Sequence, residues 1–433
     1  MRLKLSDSRI RLTIFALLSG FITYSSMYAF RKPFTAGTYE NLTLWNVDYK
    51  IILVVAQVLG YMLSKFIGIK IVSELQPGRR VRTFLFLMGV AWLSLLFFGL
   101  TPYPYNFIWL FFNGLPLGMI WGIVFSFLEG RRNTELLGAG MCVSFIVASG
   151  LVKSVGKYLM DHFHVAEFWM PFFTGMIFLP FLLLGIWMLS RLPSPSLNDI
   201  ESRAARFPMN FQERILFFRE FAPGIILVVI IYIAITIFRD LRDNFAVEIW
   251  NSLGYAGSPE VLLTAEIPIA IAVFIIIALM ILIRNNRLAF YINILTISTG
   301  GMLLLACSFL ADHQLVDPAL WMILVGFGMY LSYVSFHTIL FERWIAVFRR
   351  RSNIGFLMYV ADAFGYLGSV AILLYKNFFE ASHNWLTFIY STSYIVGGIT
   401  VILSMAAFWY FKLKEQSTTL GLQNMPQDLA EHS

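Results

Sequence analysis

Twelve runs of roughly 17–25 mostly apolar residues, each long enough to cross a bilayer core about 30 Å thick as a helix, dominate this chain. They lie near 10–30, 50–73, 83–101, 107–128, 136–160, 168–190, 222–239, 259–283, 288–310, 319–341, 353–376 and 385–411. Lipid offers backbone N–H and C=O groups no partners, so runs of this kind have to be helices. Composition excludes an ordinary globular core: 58% of the residues are hydrophobic and 13% charged, against about 25% charged in a typical soluble domain. The first run follows "MRLKLSDSRIR". Its apolar core is too long for a signal peptide and no small-residue cleavage site follows, so it reads as a retained helix. The expectation is an all-α, multi-pass membrane protein.

The 32 lysines and arginines gather in alternate connections. With the N-terminus placed in the cytoplasm, most of them fall inside, which puts both termini on the cytoplasmic side. The formal charge is +7, but the basic residues stand in short scattered clusters, so nucleic acid is not an expected partner. Cys142 and Cys307 both lie in apolar runs and do not make a disulfide framework. "DHFH", residues 161–164, has no cysteine or acidic cluster beside it at ligand spacing, and no metal is expected there. Phosphate-binding loops, nucleophile elbows and dinucleotide fingerprints are lacking. Neither a cofactor nor an enzymatic activity is expected.

The longest polar connection, 191–221, opens with proline, serine and charges and ends in "NFQERILFFREF", which reads as an amphipathic surface helix. It separates an N-terminal six-helix bundle (1–190) from a C-terminal one (222–411), with a cytoplasmic tail at 412–433. The halves resemble each other at nearly constant spacing. "FRKPF" matches "LRDNF", placing Arg31 with Arg242, and "VVAQV" matches "LTAEI", placing Gln57 with Glu266. "FSFLEGRR" matches "ILFERW", placing Glu129 with Glu342, and "SGLVKSV" matches "FGYLGSV", placing Gly150 with Gly365. A duplicated six-span unit is the architecture of the major facilitator superfamily, whose site lies between the halves.

The stretches "YAFRKPF", "AQVLGYMLSKFIGIK", "FRDLRDNF" and "DAFGYLGSV" make the whole chain resemble an uncharacterised bacterial integral-membrane family. More distantly, it resembles the organophosphate:phosphate antiporters of the major facilitator superfamily. The motifs that carry this are Arg31-Lys32 with Phe34, "SKF" at Ser64, Lys65 and Phe66, Arg239 with Asp243, and "FGYLG" at 364–368. The resemblance implies a twelve-helix fold in a bacterial inner membrane and a role for the first- and seventh-helix arginines in holding a substrate phosphate. Arg242 is an extra arginine, and the loop between helices two and three is degraded to "IKIVSELQPGRR".

On physical grounds, Arg31, Lys32, Arg239 and Arg242, with Tyr28 nearby, are the candidate substrate-binding residues. A guanidinium matches phosphate or carboxylate with two parallel hydrogen bonds, and two arginines from opposite halves could clamp one anion. Two simpler readings stand beside this: Arg31 as an interfacial anchor, and Asp240 and Asp243 as plain neutralisers of Arg239 and Arg242. Tyr24, Tyr333 and His337 are further candidates for a cavity wall. The expected solute is a small phosphorylated or carboxylated anion, with protons or a counter-transported anion as coupling partners. A non-transporting sensor or scaffold of the same fold is the alternative.

Lys65, Lys153, Glu266 and Asp362 lie within spans, where a charge faces a partner or a watery cavity. Lys65 and Asp362 are each nine residues from one membrane boundary, and Lys153 and Glu266 are each seven from the other. At 1.5 Å per residue the two pairs lie level, at about 13 Å and about 10 Å. The expectation is that Lys65–Asp362 latches the cytoplasmic side and Lys153–Glu266 the outer side, with Asp243 also in gating or coupling. The alternative is that the lysines snorkel and the carboxyls stay protonated.

Overall fold

The computed structural model describes residues 9–73, 75–129, 131, 134–194, 211–348, 354–379 and 385–423. Most of the central connection (195–210) and the end of the tail (424–433) lie outside them. Twelve long helices follow in order: α1 Arg9–Tyr28, α2 Tyr49–Ser73, α3 Arg80–Leu100, α4 Phe107–Leu128, α5 Thr134–Phe163 and α6 Met170–Ser190 form the first set. The second set is α7 Phe211–Asn244, α8 Glu266–Ile281, α9 Asn286–Asp312, α10 Pro318–Ser335, α11 Ile354–Phe379 and α12 Trp385–Gln423. All but α11 belong to a stretch long and apolar enough to cross a membrane by length and composition, α8 only together with the short helix Val261–Thr264 before it, and α11 itself has 26 residues. Short connections make successive helices run in opposite directions. One end of the bundle therefore holds the start of α1 and the end of α12 (the terminal side), and the other holds residues 37–48 (the hairpin side).

Within the first half α1 packs on α5 and α6, and α4 on α2 and α3; in the second α7 packs on α11 and α12, and α9 on α10 and α12. The halves meet where α5 packs on α8 and α2 on α11. Small residues make these approaches possible. A Cβ on Gly114 would run into the Gln57 carbonyl of α2, and one on Gly150 into the Leu262 carbonyl just before α8. Gly114→Val is therefore expected to cost about 1–3 kcal/mol through overpacking, seen as a lower melting temperature of the purified protein. An unchanged melting temperature would show that α2 and α4 can move apart freely.

Three local features depart from plain helices. Thr43–Leu44 (β1) and Val47–Asp48 (β2) pair antiparallel, with Trp45 and Asn46 at φ 55° and 60°, as a two-residue type I′ turn requires. Two-residue strands are too short to signal themselves by alternation, so the all-α expectation missed them. The segment read as an amphipathic surface helix is continuous with α7, broken only at Phe221 (φ −116°, ψ 15°), two residues before Pro223. Proline removes a helical donor and crowds the preceding turn, which accounts for the break. Phe217 and Phe221 there pack against Trp344. Finally, α10 continues through a π-helical turn, Phe336–Leu340, into a further helix, Phe341–Phe348.

Candidate functional site

Between the halves lies a cavity of about 240 Å³, walled by α1, α2, α4 and α5 on one side and α7, α10 and α11 on the other. A single water needs roughly 10–15 Å³ on such a measure, so the space suits a metabolite rather than a bare ion. Arg31, Lys32, Arg239, Asp240, Asp243 and Asp362 all contribute to the wall, together with six tyrosines: 24, 28, 61, 330, 333 and 366.

Arg31 owes its place to how α1 ends. The helix stops at Tyr28, and after a short turn Pro33 opens a separate 3-10 turn, Pro33–Ala36, where its missing N–H costs nothing. Carbonyls freed at a helix end need other donors. Asn113 of α4 donates to the Phe30 oxygen at 2.9 Å and Gln57 of α2 to the Arg31 oxygen at 2.7 Å, and these two amides also bond each other at 2.8 Å. The backbone is thus pinned, and the guanidinium lies over the Tyr61 ring with its carbon 3.9 Å from the centroid. Arg31 is 8% exposed, its Nε lacks a hydrogen-bond acceptor, and no carboxylate among the described residues is within ion-pair range of it.

The second half treats the matching position differently. Arg242 donates to Glu266 at 2.7 Å and to the Met322 carbonyl at 3.2 Å, away from the cavity wall. In the duplicated pattern, Glu266 corresponds to Gln57. Where the second copy has a carboxylate to satisfy its arginine, the first has a neutral amide turned to the backbone, and Arg31 is left unmatched. Arg239, one helical turn before Arg242, does face the cavity. It pairs with Asp240 at 2.7 Å and lies over Tyr333 at 4.2 Å.

On the hairpin side the halves are tied by charge. Lys32 and Asp243, matching positions of the two copies, meet at 2.5 Å, and Lys32 also donates to Asn244 at 2.7 Å. Lys153 reaches the same carboxylate at 2.7 Å, and Ser149 donates to it as well. Lys50, buried at 2% exposure, pairs with Glu248 at 2.5 Å. Toward the terminal side Lys65 lies 3.3 Å from Asp362. Asp362 also accepts from Tyr232 at 2.5 Å, whose hydroxyl is 2.9 Å from His337 Nε2.

A model of a family of unknown function, DUF5690, matches residues 33–414. The chain belongs to that family. No curated protein matches it. Its fold is similar to those of solved solute transporters. The nucleoside transporter NupG has a TM-score of 0.61 at 15% identity, over 93% of this chain and 99% of that one. The human organic anion transporter MFSD10 (TETRAN) has 0.58 at 13%, over 93% and 100%. A D-xylose-proton symporter has 0.57 at 14%, over 92% and 97%. This DUF5690 member thus has the twelve-helix, two-half fold of the major facilitator superfamily. These likenesses do not single out the organophosphate:phosphate antiporters, for which only the motif residues speak.

For the DUF5690 member, the expected site residues divide into two groups. Tyr28, Arg31, Lys32, Lys65, Arg239, Asp243 and Asp362 come together on one cavity. Arg242 and Glu266 do not line it; they satisfy each other. The expected Lys153–Glu266 contact is absent for that reason, and Lys153 takes Asp243 instead. Lys65 and Asp362 meet as their depths suggest, whereas Glu266 packs beside Gly150, one turn before Lys153 on α5, so residue counting alone did not find its partner. Sequence reasoning missed Tyr61, the ring beneath Arg31, and Gln57, whose match to Glu266 was the available signal.

Proposed function

We propose that the protein is a secondary active transporter that moves a small phosphorylated or carboxylated anion across a bacterial inner membrane by alternating access. Both termini face the cytoplasm, residues 191–221 link the two bundles and 412–433 form a tail. No ATP or other cofactor is used, and protons or a counter-transported anion supply the coupling. The observation that carries this reading is Arg31: a buried guanidinium on a cavity wall, its backbone pinned by Gln57 and Asn113, with no carboxylate among the described residues in ion-pair range. An unmatched arginine at this depth is costly unless an anion comes to it. The shared transporter fold supports the alternating-access part. A thermal-shift screen of the purified protein against phosphorylated and carboxylated metabolites tests it, because specific binding raises apparent stability by mass action. Uptake of a hit into proteoliposomes then separates a transporter from a sensor or scaffold, which binds without uptake.

In this reading the Lys65–Asp362 pair closes the terminal side when the opposite side opens. Lys65→Asp and Asp362→Lys are each expected to abolish uptake, and the double swap to restore much of it. A double variant no better than either single would remove the pair from the gating cycle.

A further inference from the structure

Taking the cavity as the anion site proposed above, we infer that its solute carries two negative charges. At the hairpin-side end of the cavity four cations meet two carboxylates. Arg239 is matched one to one by Asp240 at 2.7 Å. Asp243 is shared, with Lys32 on Oδ2 at 2.5 Å and Lys153 on Oδ1 at 2.7 Å, so one negative charge serves two lysines. Arg31 has no carboxylate among the described residues. Two positive charges are left over. Their carriers that face the cavity are adjacent in one turn, Arg31 and Lys32.

The surrounding charges do not alter this count. Lys65 with Asp362, Arg242 with Glu266 and Lys50 with Glu248 are ion-paired at 3.3, 2.7 and 2.5 Å. Glu342 lines the same cavity but lies twelve residues beyond Tyr330, toward the terminal side, outside this hairpin-side group. A dianion neutralises the pair left over, a monoanion leaves one charge exposed at membrane depth, and a neutral solute leaves both. The count also links binding to movement. A dianion that takes Lys32 leaves Asp243 with Lys153 alone, a one-to-one pair, and removes one tie between the halves on the hairpin side.

Matched anions that differ by one charge test this: phenyl phosphate with methyl phenyl phosphate, and succinate with monomethyl succinate. At about pH 8 a phosphate monoester has lost its second proton, whose pKa is about 6. Thermal shift and calorimetric affinity of the purified full chain are the readouts. In at least one pair the dianion is expected to bind about tenfold tighter or more, as an added charge-assisted contact provides. Gln57→Glu, which adds a carboxylate one helical turn from Tyr61, should erase that preference, and Arg31→Gln should do so even if the first variant misfolds. Equal affinity within both pairs, or a preference for the monoanions, overturns the charge count and leaves the anion site standing. No binding by any of the four at millimolar concentration overturns the anion reading and the count together.

Discussion

Arg31→Lys is expected to weaken anion binding almost as much as Arg31→Ala, by about 10–100-fold, which corresponds to a charged hydrogen bond worth about 1.5–3 kcal/mol. Lysine keeps the charge, yet it loses the planar fork and the flat face that lies on Tyr61 at 3.9 Å. A flexible ammonium in that position would also be poorly preorganised, since Gln57 and Asn113 hold the backbone and not the side chain. Calorimetric titration of the two variants with a ligand of the wild type is the measurement. If lysine binds like arginine, Arg31 acts as a point charge or an interfacial anchor, and the fork has no part in recognition.

The second large effect is expected at Asp243. Asparagine there leaves Lys32 and Lys153 buried with no carboxylate between them, and breaking a buried pair this way costs about 3–5 kcal/mol. That cost falls on the state closed at the hairpin side, because the lysines belong to the first half and the aspartate to the second. A difference of this size moves a two-state population by orders of magnitude. Cys142 offers a native probe: it is buried and lies on the cavity wall, whereas Cys307 is buried in α9. Asp243→Asn should make Cys142 react with a membrane-impermeant thiol reagent from the hairpin side, where the wild type is protected. Unchanged protection would show that Asp243 does not hold that side shut, and the apolar packing of α5 on α8 would then be the seal.

Much of the architecture could be read from the chain because lipid imposes length. Each apolar run near a membrane thickness became a helix, and four weak matches in one order located the duplication. The level of a charge along its helix was equally readable, as Lys65 and Asp362 at 3.3 Å illustrate. What escaped was the choice of neighbour. Glu266 packs beside Gly150, one turn before Lys153, and takes Arg242, while Lys153 takes Asp243. Short-range chemistry escaped too. Lys50, at the first position of an apolar run, gave no sign of its partner and is buried against Glu248, and a two-residue strand has too little periodicity to be recognised. The amide at Gln57 was visible as a mismatch to Glu266, but its meaning depended on seeing the end of α1 unwound beside it.

The π turn at Phe336–Leu340 has a geometric consequence for the terminal-side mouth. It inserts one residue into an otherwise α-helical path, and one residue amounts to about 100° of screw rotation and 1.5 Å of advance. Phe341, Glu342 and Trp344 are therefore out of phase with Tyr330 and Tyr333 by that step. Were the π turn to relax to α-helix, Phe341 and Glu342 would swing off the cavity wall and Trp344 would leave its edge contact with Phe411, while the tyrosines above stayed put. A change in this single turn would redraw the entrance and, through the buried Trp344, be felt by Phe217, Phe221 and Phe411.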